Sequence, residues 1–512
     1  KDECRMKVRI KWLTGLLALL MCAVAFAACS GKDQPTQTDT GTGVSEPNET
    51  GEETLPAVET DANGYVLDSI PADVNYHGKQ INLLCWQENI DRVLPLEAGK
   101  DELQQEVYLR SLRLAARLNI ELNVSKVAGN WQNRETFLQA ARLSNESEYD
   151  LICAFSLVPS VLAQEGVLYN LNTLNYPELE KPWWPESITE WEQYNSLYFI
   201  ANNSSIASMA SFEVMFSNSE LFRNRELEDP IDLVLENQWT VEKMLELVSA
   251  FDTDVSDESM RVYGLAVDDH SRMDAFYYSA GFNCTKNNSD GKAELAYTSA
   301  TQLDRITTYI DQLFAVFKTD AVTIAADDRA LMKEHRTALM VASLDNIREM
   351  EDTSYAPLPL PMLESGQGYK TIQNNGYDVW CIPTSAADPE LSGLVIEALA
   401  SEDYRSVAPF YFDKYMKLRY ATNVICSQMF ELVRSSVIYD FGRISQITLT
   451  NNGIPTVETY WRKSFWDYTL KVKYPENSFA TSAEGNIKPM LTNLESLLAS
   501  YRKYSNQNAG GN

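Results

Sequence analysis

The sequence predicts a mixed α/β protein with two lobes, each a doubly wound sheet flanked by helices, and with a helix-rich C-terminal part. From residue 79 onward short apolar runs alternate with helical patterns, and this order favours a mostly parallel sheet with helices on both faces. The chain has 512 residues. Because a single hydrophobic core rarely grows beyond about 250–300 residues, we expect the folded part to form two lobes.

The first strands and helices are predicted by their periodicity. An unbroken apolar run at residues 81–86 is typical of a buried strand, and alternation at residues 120–124 predicts a second strand. Between them, apolar residues recur at helical spacing from Leu103 to Leu118. A third strand is expected at residues 149–155. In a sheet of this kind ligands bind at the carboxyl ends of the strands.

Later segments continue the pattern with recognisable helix starts. Thr240 is expected to cap a helix that begins at the next residue, and Asp388 and Pro389 have the residue types of a helix cap and a first helical position. The proline-rich residues 355–361 cannot lie inside a helix, so we expect an extended segment that crosses between lobes. Further strands are expected at residues 197–200, 212–217, 338–342 and 377–382.

The N-terminus has the features of an export signal. Basic residues at 6–11 precede an apolar stretch at 13–26, which is too short for a comfortable membrane span. Phe, Ala and Ala then precede Cys29, an arrangement that resembles a bacterial lipobox. This predicts a lipoprotein signal peptide at residues 1–28 and lipid attachment at Cys29, with an ordinary secretory signal cleaved nearby as the alternative. Residues 29–77 are predominantly polar and are expected to form a disordered tether.

Composition excludes several classes of function. The formal net charge of −29 repels phosphate backbones, so we expect no nucleic-acid partner. Five cysteines follow Cys29 without a CxxC pair, and there are three histidines, so we expect no metal and no cofactor. The chain lacks GxSxG, P-loop and HExxH motifs, and we expect no enzymatic activity. The remaining catalytic hypothesis is a glycosidase pair formed by Glu88 and Asp378.

Several motifs in their order resemble the extracellular solute-binding proteins of ABC importers, especially the lipid-anchored, sugar-binding family 1 group. The resemblance covers nearly all of the chain after the tether. It is carried by Trp86-Gln87-Glu88 after the first strand, by Tyr149-Asp150-Leu151-Ile152 followed by AQEGVLYNL at residues 163–171, by WTVEKM at residues 239–244, by Tyr263-Gly264-Leu265, and by Asp388-Pro389-Glu390.

The resemblance implies a type II periplasmic-binding-protein-like fold, in which two lobes close about a hinge and trap a ligand without chemical change. It places lobe 1 at residues 78–200 and 356–402, and lobe 2 at residues 201–355 and 403–512. The implied ligand is a small polar molecule, with a carbohydrate favoured. The implied partners are the membrane subunits of an ABC transporter. A surface glycan-binding or adhesion lipoprotein that is not coupled to transport is the alternative.

We also expect a monomer held by its lipid at the extracellular face of a bacterial cell membrane. Sugars present apolar faces and hydroxyl edges, so a suitable cleft offers aromatic rings with carboxylate, amide and hydroxyl groups at strand ends. Structural alternatives remain: the tryptophan after the first strand could cap the core, and the Asn and Asp pairs could cap a turn or helix. The candidate ligand-binding residues are Trp86, Gln87, Glu88, Trp131, Phe155, Ser156, Asn202, Asn203, Asp345, Asn346, Tyr377 and Asp378.

Overall fold

The computed structural model describes residues 59–143, 148–255, 257–268, 272–324, 328–349, 355–416, 424–445, 465, 467, 469 and 479–505. The predicted signal peptide, Cys29 and the tether up to residue 58 therefore lie outside the described residues. Among the helices that the structure describes, none has both the length and the apolar character needed to cross a bilayer.

The strands of the described part of the chain alternate with helices as predicted. They are β1 (Lys79–Trp86), β2 (Ile120–Val127), β3 (Leu151–Phe155), β4 (Glu213–Asn218), β5 (Tyr263–Val267), β6 (Thr285–Asn287), β7 (Ala293–Leu295), β8 (Val322–Ile324), β9 (Thr337–Ser343), β10 (Tyr355–Leu358) and β11 (Asp378–Cys381).

The α-helices lie between these strands and dominate the C-terminal part. They are α1 (Ile90–Val93), α2 (Glu102–Leu118), α3 (Arg134–Leu143), α4 (Pro159–Glu165), α5 (Ile206–Ala210), α6 (Ser219–Arg223), α7 (Pro230–Leu235), α8 (Val241–Ser249), α9 (Met273–Ser279), α10 (Ala300–Phe317), α11 (Asp328–Lys333), α12 (Pro389–Glu402), α13 (Val424–Ser435), α14 (Phe441–Ile444) and α15 (Phe479–Tyr504). Short π-helical stretches follow α12, at Asp403–Val407 and Phe410–Met416.

Helix starts follow the sequence signals. The Thr240 hydroxyl accepts a hydrogen bond from the backbone N–H of Lys243, and the Asp388 carboxylate accepts one from the N–H of Leu391. Both side chains satisfy backbone donors that the first helical turn leaves unpaired. The predicted caps of α8 and α12 are therefore confirmed.

The first sheet has four strands in the order β11-β3-β1-β2. β1 pairs in parallel with β2 and β3, and β11 pairs antiparallel with β3. The inner strands are buried on both faces, which is why they read as unbroken apolar runs. Cys85, Cys153 and Cys381 lie inside these strands as buried free thiols, as their apolar neighbours predict.

The second sheet has five strands in the order β10-β4-β9-β5-β8. β5 is parallel to both β8 and β9, whereas β4 is antiparallel to β9 and β10. A separate two-stranded ribbon of β6 and β7 lies apart from both sheets. Helices flank the two larger sheets, so each sheet forms the centre of a candidate lobe.

Two segments differ from the sequence-based expectation. Tyr355–Leu358 is not a crossing between lobes, because it pairs with β4 as the edge strand of the second sheet. Pro357 is tolerated there since an edge strand has one side without a hydrogen-bonded neighbour. Residues 197–200 do not form a strand. They make a single bridge, between Ile200 and Trp380.

Residues 59–77, which we call the N-terminal strap, are ordered against the first lobe and do not belong to a disordered tether. The Asp68 carboxylate accepts hydrogen bonds from Arg117 at the end of α2 and from Ser401 near the end of α12. Ile70 is buried, and the N–H of Tyr76 donates to the carbonyl of Leu118 at 2.9 Å. Composition alone missed the strap because partly buried ion pairs, rather than many apolar residues, hold it.

Candidate ligand-binding site

The carboxyl ends of the parallel strands of the first sheet meet at one edge. β1 ends at Trp86 and β3 at Phe155, and the antiparallel strand β11 begins there, with Asp378 opposite Phe155. Chain leaving this edge includes the loop after β2, which carries Trp131. Eight of the twelve sequence-predicted ligand residues therefore lie at or just beyond this edge of the first sheet, and Asn202, Asn203, Asp345 and Asn346 lie elsewhere.

The corresponding edge of the second sheet holds a buried carboxyl group. Glu213, the first residue of β4, lies opposite Ser343, the last residue of β9. Its Oε1 accepts hydrogen bonds from the Ser343 hydroxyl at 3.1 Å and from the Asn374 amide at 3.2 Å. Its Oε2 has no hydrogen-bond partner among the described residues. Burial raises the pKa of Glu213 to about 7, against the lowering effect of nearby Arg272.

A crossing segment, residues 371–377, joins the two edges. On the second sheet, the N–H of Glu213 donates to the carbonyl of Ile372, and the N–H of Asn374 donates to that of Ser211. On the first sheet, the Ser156 hydroxyl donates to the carbonyl of Asn375 at 2.8 Å, just before β11 begins. The chain thus passes from one sheet to the other within a few residues, as expected of a hinge.

A small polar cavity lies beside the crossing segment, with a volume of about 10 Å³. Its walls come from the first-sheet edge, from the crossing segment and from the region around α14, which is tied to β6 by a hydrogen bond from the N–H of Gly442 to the Thr285 hydroxyl. A space of this size holds about one water molecule and no sugar, so a larger ligand requires the walls to separate. The aromatic and polar lining residues include Trp191, Gln373, Asn375, Tyr377, Tyr439 and Arg443.

The cavity combines aromatic rings with polar atoms that lack partners. Trp191 packs edge-on against Tyr439, with ring centres 4.8 Å apart. Within the described part of the chain, Nε1 of Trp191, Oε1 of Gln373 and Oδ1 of Asn375 are buried and make no hydrogen bond. A buried polar atom without a partner costs about 1–3 kcal/mol. These three atoms therefore mark a place where a polar ligand or water is favoured.

Other polar groups of the cavity are held in position by their neighbours. The Gln373 amide donates to the Tyr439 hydroxyl at 2.9 Å, and the Arg443 guanidinium donates to the Gln373 carbonyl at 2.7 Å. Arg443 also lies 3.6 Å from the buried carboxylate of Asp274 on α9. Burial raises the pKa of Tyr377 to about 12, so its hydroxyl stays protonated at neutral pH. The wall is thus rich in fixed donors and acceptors.

Trp131 provides an exposed aromatic face at the other end of the first-sheet edge. Its side chain is 54% exposed, and the Arg134 guanidinium lies over its ring at 4.6 Å from the centre. Glu88 fixes the loop by accepting hydrogen bonds from the N–H of Gly129 at 2.9 Å and from the Asn133 amide at 3.3 Å. Gln87 is exposed beside it.

The remaining sequence-predicted residues are placed inside the protein or between its parts. Trp86 and Phe155 are both buried and pack against each other with ring centres 5.4 Å apart. Asp345 forms an ion pair with Arg92, and Asn346 is partly buried beside it. Ligand contact at Trp86 and Phe155 stays a prediction that requires these rings to move.

The side chains of Asn202 and Asn203 are hydrogen-bonded to backbone groups of the protein. The Asn202 amide oxygen accepts hydrogen bonds from the N–H groups of Ser204 and Ser205, and the Asn203 amide donates to the carbonyl of Arg434. The Ser205 hydroxyl in turn donates to Asp378 at 2.8 Å.

The structure does not favour Asp378 as half of a catalytic carboxylate pair. Asp378 is 2% exposed and accepts hydrogen bonds from the Ser205 hydroxyl and from the Trp380 indole N–H at 3.0 Å. Its lone pairs are directed at structural donors, whereas Glu88 is exposed and bonded to the loop after β2. Both carboxylates thus accept hydrogen bonds from groups of the protein itself, as carboxylates with a structural role do.

Sequence reasoning missed Glu213, Gln373 and Arg443, and it interpreted Trp191 as packing a loop against the first lobe, with ligand contact as the alternative. Glu213 lies within a strand-like run and carries no motif, and Arg443 lies in a C-terminal part read only as helical. One available signal was the polar run Gln373-Asn374-Asn375 directly before a strand, at the place where ligand groups are expected.

Comparisons with known proteins identify the fold. No protein family model and no curated protein matches this chain. Among solved structures, a sugar transporter protein from Rhizobium etli in an open conformation is similar, with a TM-score of 0.53, 8% identity, and coverage of 83% of this chain and 99% of that one.

Two ligand complexes are similar to the same degree. An extracellular solute-binding protein from Staphylococcus aureus in complex with maltose has a TM-score of 0.52 at 13% identity, covering 82% of this chain and 98% of that one. The galacto-N-biose-/lacto-N-biose I-binding protein of an ABC transporter from Bifidobacterium longum, bound to lacto-N-biose, has a TM-score of 0.51 at 11% identity, with the same coverage of 82% and 98%. The predicted type II periplasmic-binding-protein-like fold is confirmed.

Proposed function

We propose that this chain is an extracellular, lipid-anchored solute-binding protein that captures a carbohydrate between two lobes and delivers it to the membrane subunits of an ABC transporter. The observation that carries the proposal is the polar cavity at the crossing segment, where three buried polar atoms lack partners within the described part of the chain. It lies at a hinge between two sheets, which is where a closing cleft acts on a ligand.

Closure of the cleft provides the mechanism of capture. In an open form, the groups around the crossing segment face water and admit the ligand. When the lobes close, Trp191, Gln373 and Asn375 bind ligand hydroxyls away from solvent, and contacts with both lobes stabilise the closed form. No bond in the ligand is broken, so the protein acts by binding and not as an enzyme.

The chemistry of the site supports a sugar. Aromatic rings pack on the apolar faces of sugars, and amides, carboxylates and hydroxyls bind their hydroxyl groups. The two similar structures in complex with maltose and with lacto-N-biose bind carbohydrate on the same fold. We propose the contact set Gln87, Glu88, Trp131, Ser156, Asn346 and Tyr377 from the sequence, together with Trp191, Gln373 and Asn375 from the structure.

The lobe boundaries follow the two crossings. We propose that lobe 1 comprises residues 78–200 and about 371–416, because β10 pairs within the second sheet and the chain returns to the first sheet only through residues 371–377. Residues after α12 stay with this lobe, since Asp403 forms a buried ion pair with Arg110 on α2. Lobe 2 comprises the segment between them and the C-terminal part. The predicted lipid on Cys29 holds the protein at the cell surface, and Cys29→Ser is expected to release it from membranes. Continued membrane retention of that variant would contradict the anchor.

A thermal-shift screen of mono- and oligosaccharides, amino acids and peptides tests the ligand class. A ligand that binds only the folded protein raises its Tm by mass action. We expect carbohydrates to give the shifts, and shifts from peptides alone would overturn the assignment. Uptake of the bound sugar by cells that express the cognate permease then separates transport from adhesion, since an adhesion protein binds without supporting uptake.

A conservative pair of variants locates the site. Trp191→Phe keeps an aromatic ring against Tyr439 but removes the indole N–H that has no described partner. We expect affinity to fall about tenfold, the effect of roughly one hydrogen bond, with little change in Tm. The control is Trp183→Phe, whose lost N–H donates to Glu397 at 3.1 Å and is expected to lower Tm without changing affinity. Unchanged affinity in Trp191→Phe would show that the cavity does not bind the ligand.

A further inference from the structure

Four charged side chains form a continuous chain between the two lobes. The Arg92 guanidinium lies 2.5 Å from the Asp345 carboxylate. Arg348 lies 3.5 Å from the other oxygen of Asp345 and 3.7 Å from the carboxylate of Asp101. Positive and negative groups thus alternate along the chain. We call these four residues the interlobe charge chain.

Each lobe supplies one cation and one anion. Arg92 lies on α1, which is joined to the first-sheet strand β1 by a short 3-10 helix at Gln87–Asn89. Asp101 caps α2 by accepting a hydrogen bond from the N–H of Gln104. Asp345 and Arg348 lie on a 3-10 helix that follows the second-sheet strand β9 without a break. Opening of the lobes therefore separates Arg92 from Asp345 and Arg348 from Asp101 together.

The surroundings show that the charge chain spans a gap and is not part of a packed core. A cavity of about 190 Å³ lies beside it, lined by Arg92, Arg348, Asp101, Gln104 and Ile206 among others. The four side chains are between 29% and 37% exposed. Because solvent screens such pairs, each is worth only about 0.2–1 kcal/mol, or roughly a factor of 1.4 to 5 in an equilibrium.

We propose that the interlobe charge chain is a latch that sets how often the empty protein is closed. The proposal rests on the proposed function in that closure is what captures the ligand. A weak latch suits this purpose, because a protein that is closed most of the time admits ligand slowly and one that is always open binds weakly. Asp345 then favours the closed form by pairing with Arg92, whereas the sequence predicts that it contacts the ligand.

Ionic strength should act on the same equilibrium. Partly exposed charges are screened by salt, with a Debye length of about 10 Å at 0.1 M and about 3 Å at 1 M. We therefore expect the closed fraction of the ligand-free protein to fall as salt rises from 0.05 to about 0.5 M, and we expect this dependence to vanish when the charge chain is broken.

Charge reversal in the full-length protein, with an interlobe distance as readout, tests the latch. Spin labels are introduced through Glu121→Cys on the first sheet and Lys318→Cys after α10, both exposed positions. Distances are then measured by double electron–electron resonance without ligand. Arg92→Asp and Asp345→Arg alone are expected to lower the closed-to-open ratio by about fivefold or more, since repulsion replaces attraction. The double variant restores an attractive pair at positions 92 and 345 but places an arginine beside Arg348, so it is expected to recover the original distances in part.

The control is Arg142→Asp, which breaks an ion pair of 2.7 Å with Glu165 between α3 and α4 of the same lobe. Its distance distribution should match that of the parent protein. Single reversals that leave the distances unchanged, or a double variant that is no closer to the parent protein than the single variants are, would overturn the latch. Because the readout needs no ligand, a failed carbohydrate screen with a responsive charge chain would reject the proposed ligand and retain the latch.

Discussion

Glu213 gives the sharpest prediction for stability. It is buried at the cleft edge of the second sheet, and burial raises its pKa from 4.5 to about 7. The folded protein therefore binds this proton more tightly than the unfolded chain does. It follows that the group destabilises the fold progressively as pH rises from about 4.5 to about 7, and that its effect is constant above about 7.

Glu213→Gln removes the ionisable group and keeps a side chain of the same shape, which can still accept hydrogen bonds from Ser343 and Asn374. The pKa difference of about 2.5 corresponds to about 3 kcal/mol at roughly 1.4 kcal/mol for each pKa unit. We expect the variant to be more stable than the parent by up to about 3 kcal/mol at pH 8, and by close to nothing at pH 4.5.

Urea unfolding between pH 4.5 and 8.5 measures this difference. Glu397 and Asp403 also have pKa values raised to about 7 by burial, but they are common to both proteins and cancel in the comparison. Glu135→Gln, at a side chain that is 65% exposed on α3, serves as the control and should leave the curve unchanged. A stability difference that is the same at every pH would refute the reasoning, because a packing effect does not titrate.

Two further predictions concern packing and the strap. Gly393→Ala on α12 would place a methyl group 2.4 Å from the carbonyl oxygen of Tyr176, so we expect thermal unfolding to show a free energy of unfolding lower by about 1–3 kcal/mol. Gly485→Ala on α15 meets no atom within 4 Å and should leave the stability unchanged or raise it by up to about 1 kcal/mol. Equal effects of the two changes would contradict the steric reason. Asp68→Ala removes the carboxylate that accepts hydrogen bonds from both Arg117 and Ser401. Limited proteolysis should then cut within residues 59–77 faster, while the rest of the chain stays intact. An unchanged cleavage rate would show that the strap is held by other contacts.

Much of the fold could be predicted because its signals are local. Apolar runs predicted β1 and β3, and residue types alone predicted the caps at Thr240 and Asp388. The prediction of a crossing at residues 355–361 was wrong because an extended segment is compatible with two topologies. Prolines at residues 357–361 favour an extended chain, but only pairing with β4 decides that the chain is an edge strand and not a crossing.

The candidate site was less predictable because its groups come from distant parts of the chain. Ser156, predicted from its position after a strand, lies beside the crossing segment, and Tyr377, predicted from its position at the start of a strand, is the last residue of that segment. Trp131 is exposed, as its polar loop indicated. Ligand contact at all three residues stays a prediction. No local pattern shows that Trp191 and Tyr439 meet, since nearly half of the chain separates them. Burial of unpaired polar atoms is likewise a property of the assembled protein.

The strap has a consequence for how the protein moves. Its ion pairs with Arg117 and Arg405 attach residue 68 to the first lobe. Any force from the preceding chain is therefore transmitted to that half alone. If the chain is held at a surface, the first lobe stays fixed and the second lobe moves as the protein opens and closes. A partner at that surface would then meet one fixed face and one face that takes its position only when ligand is bound.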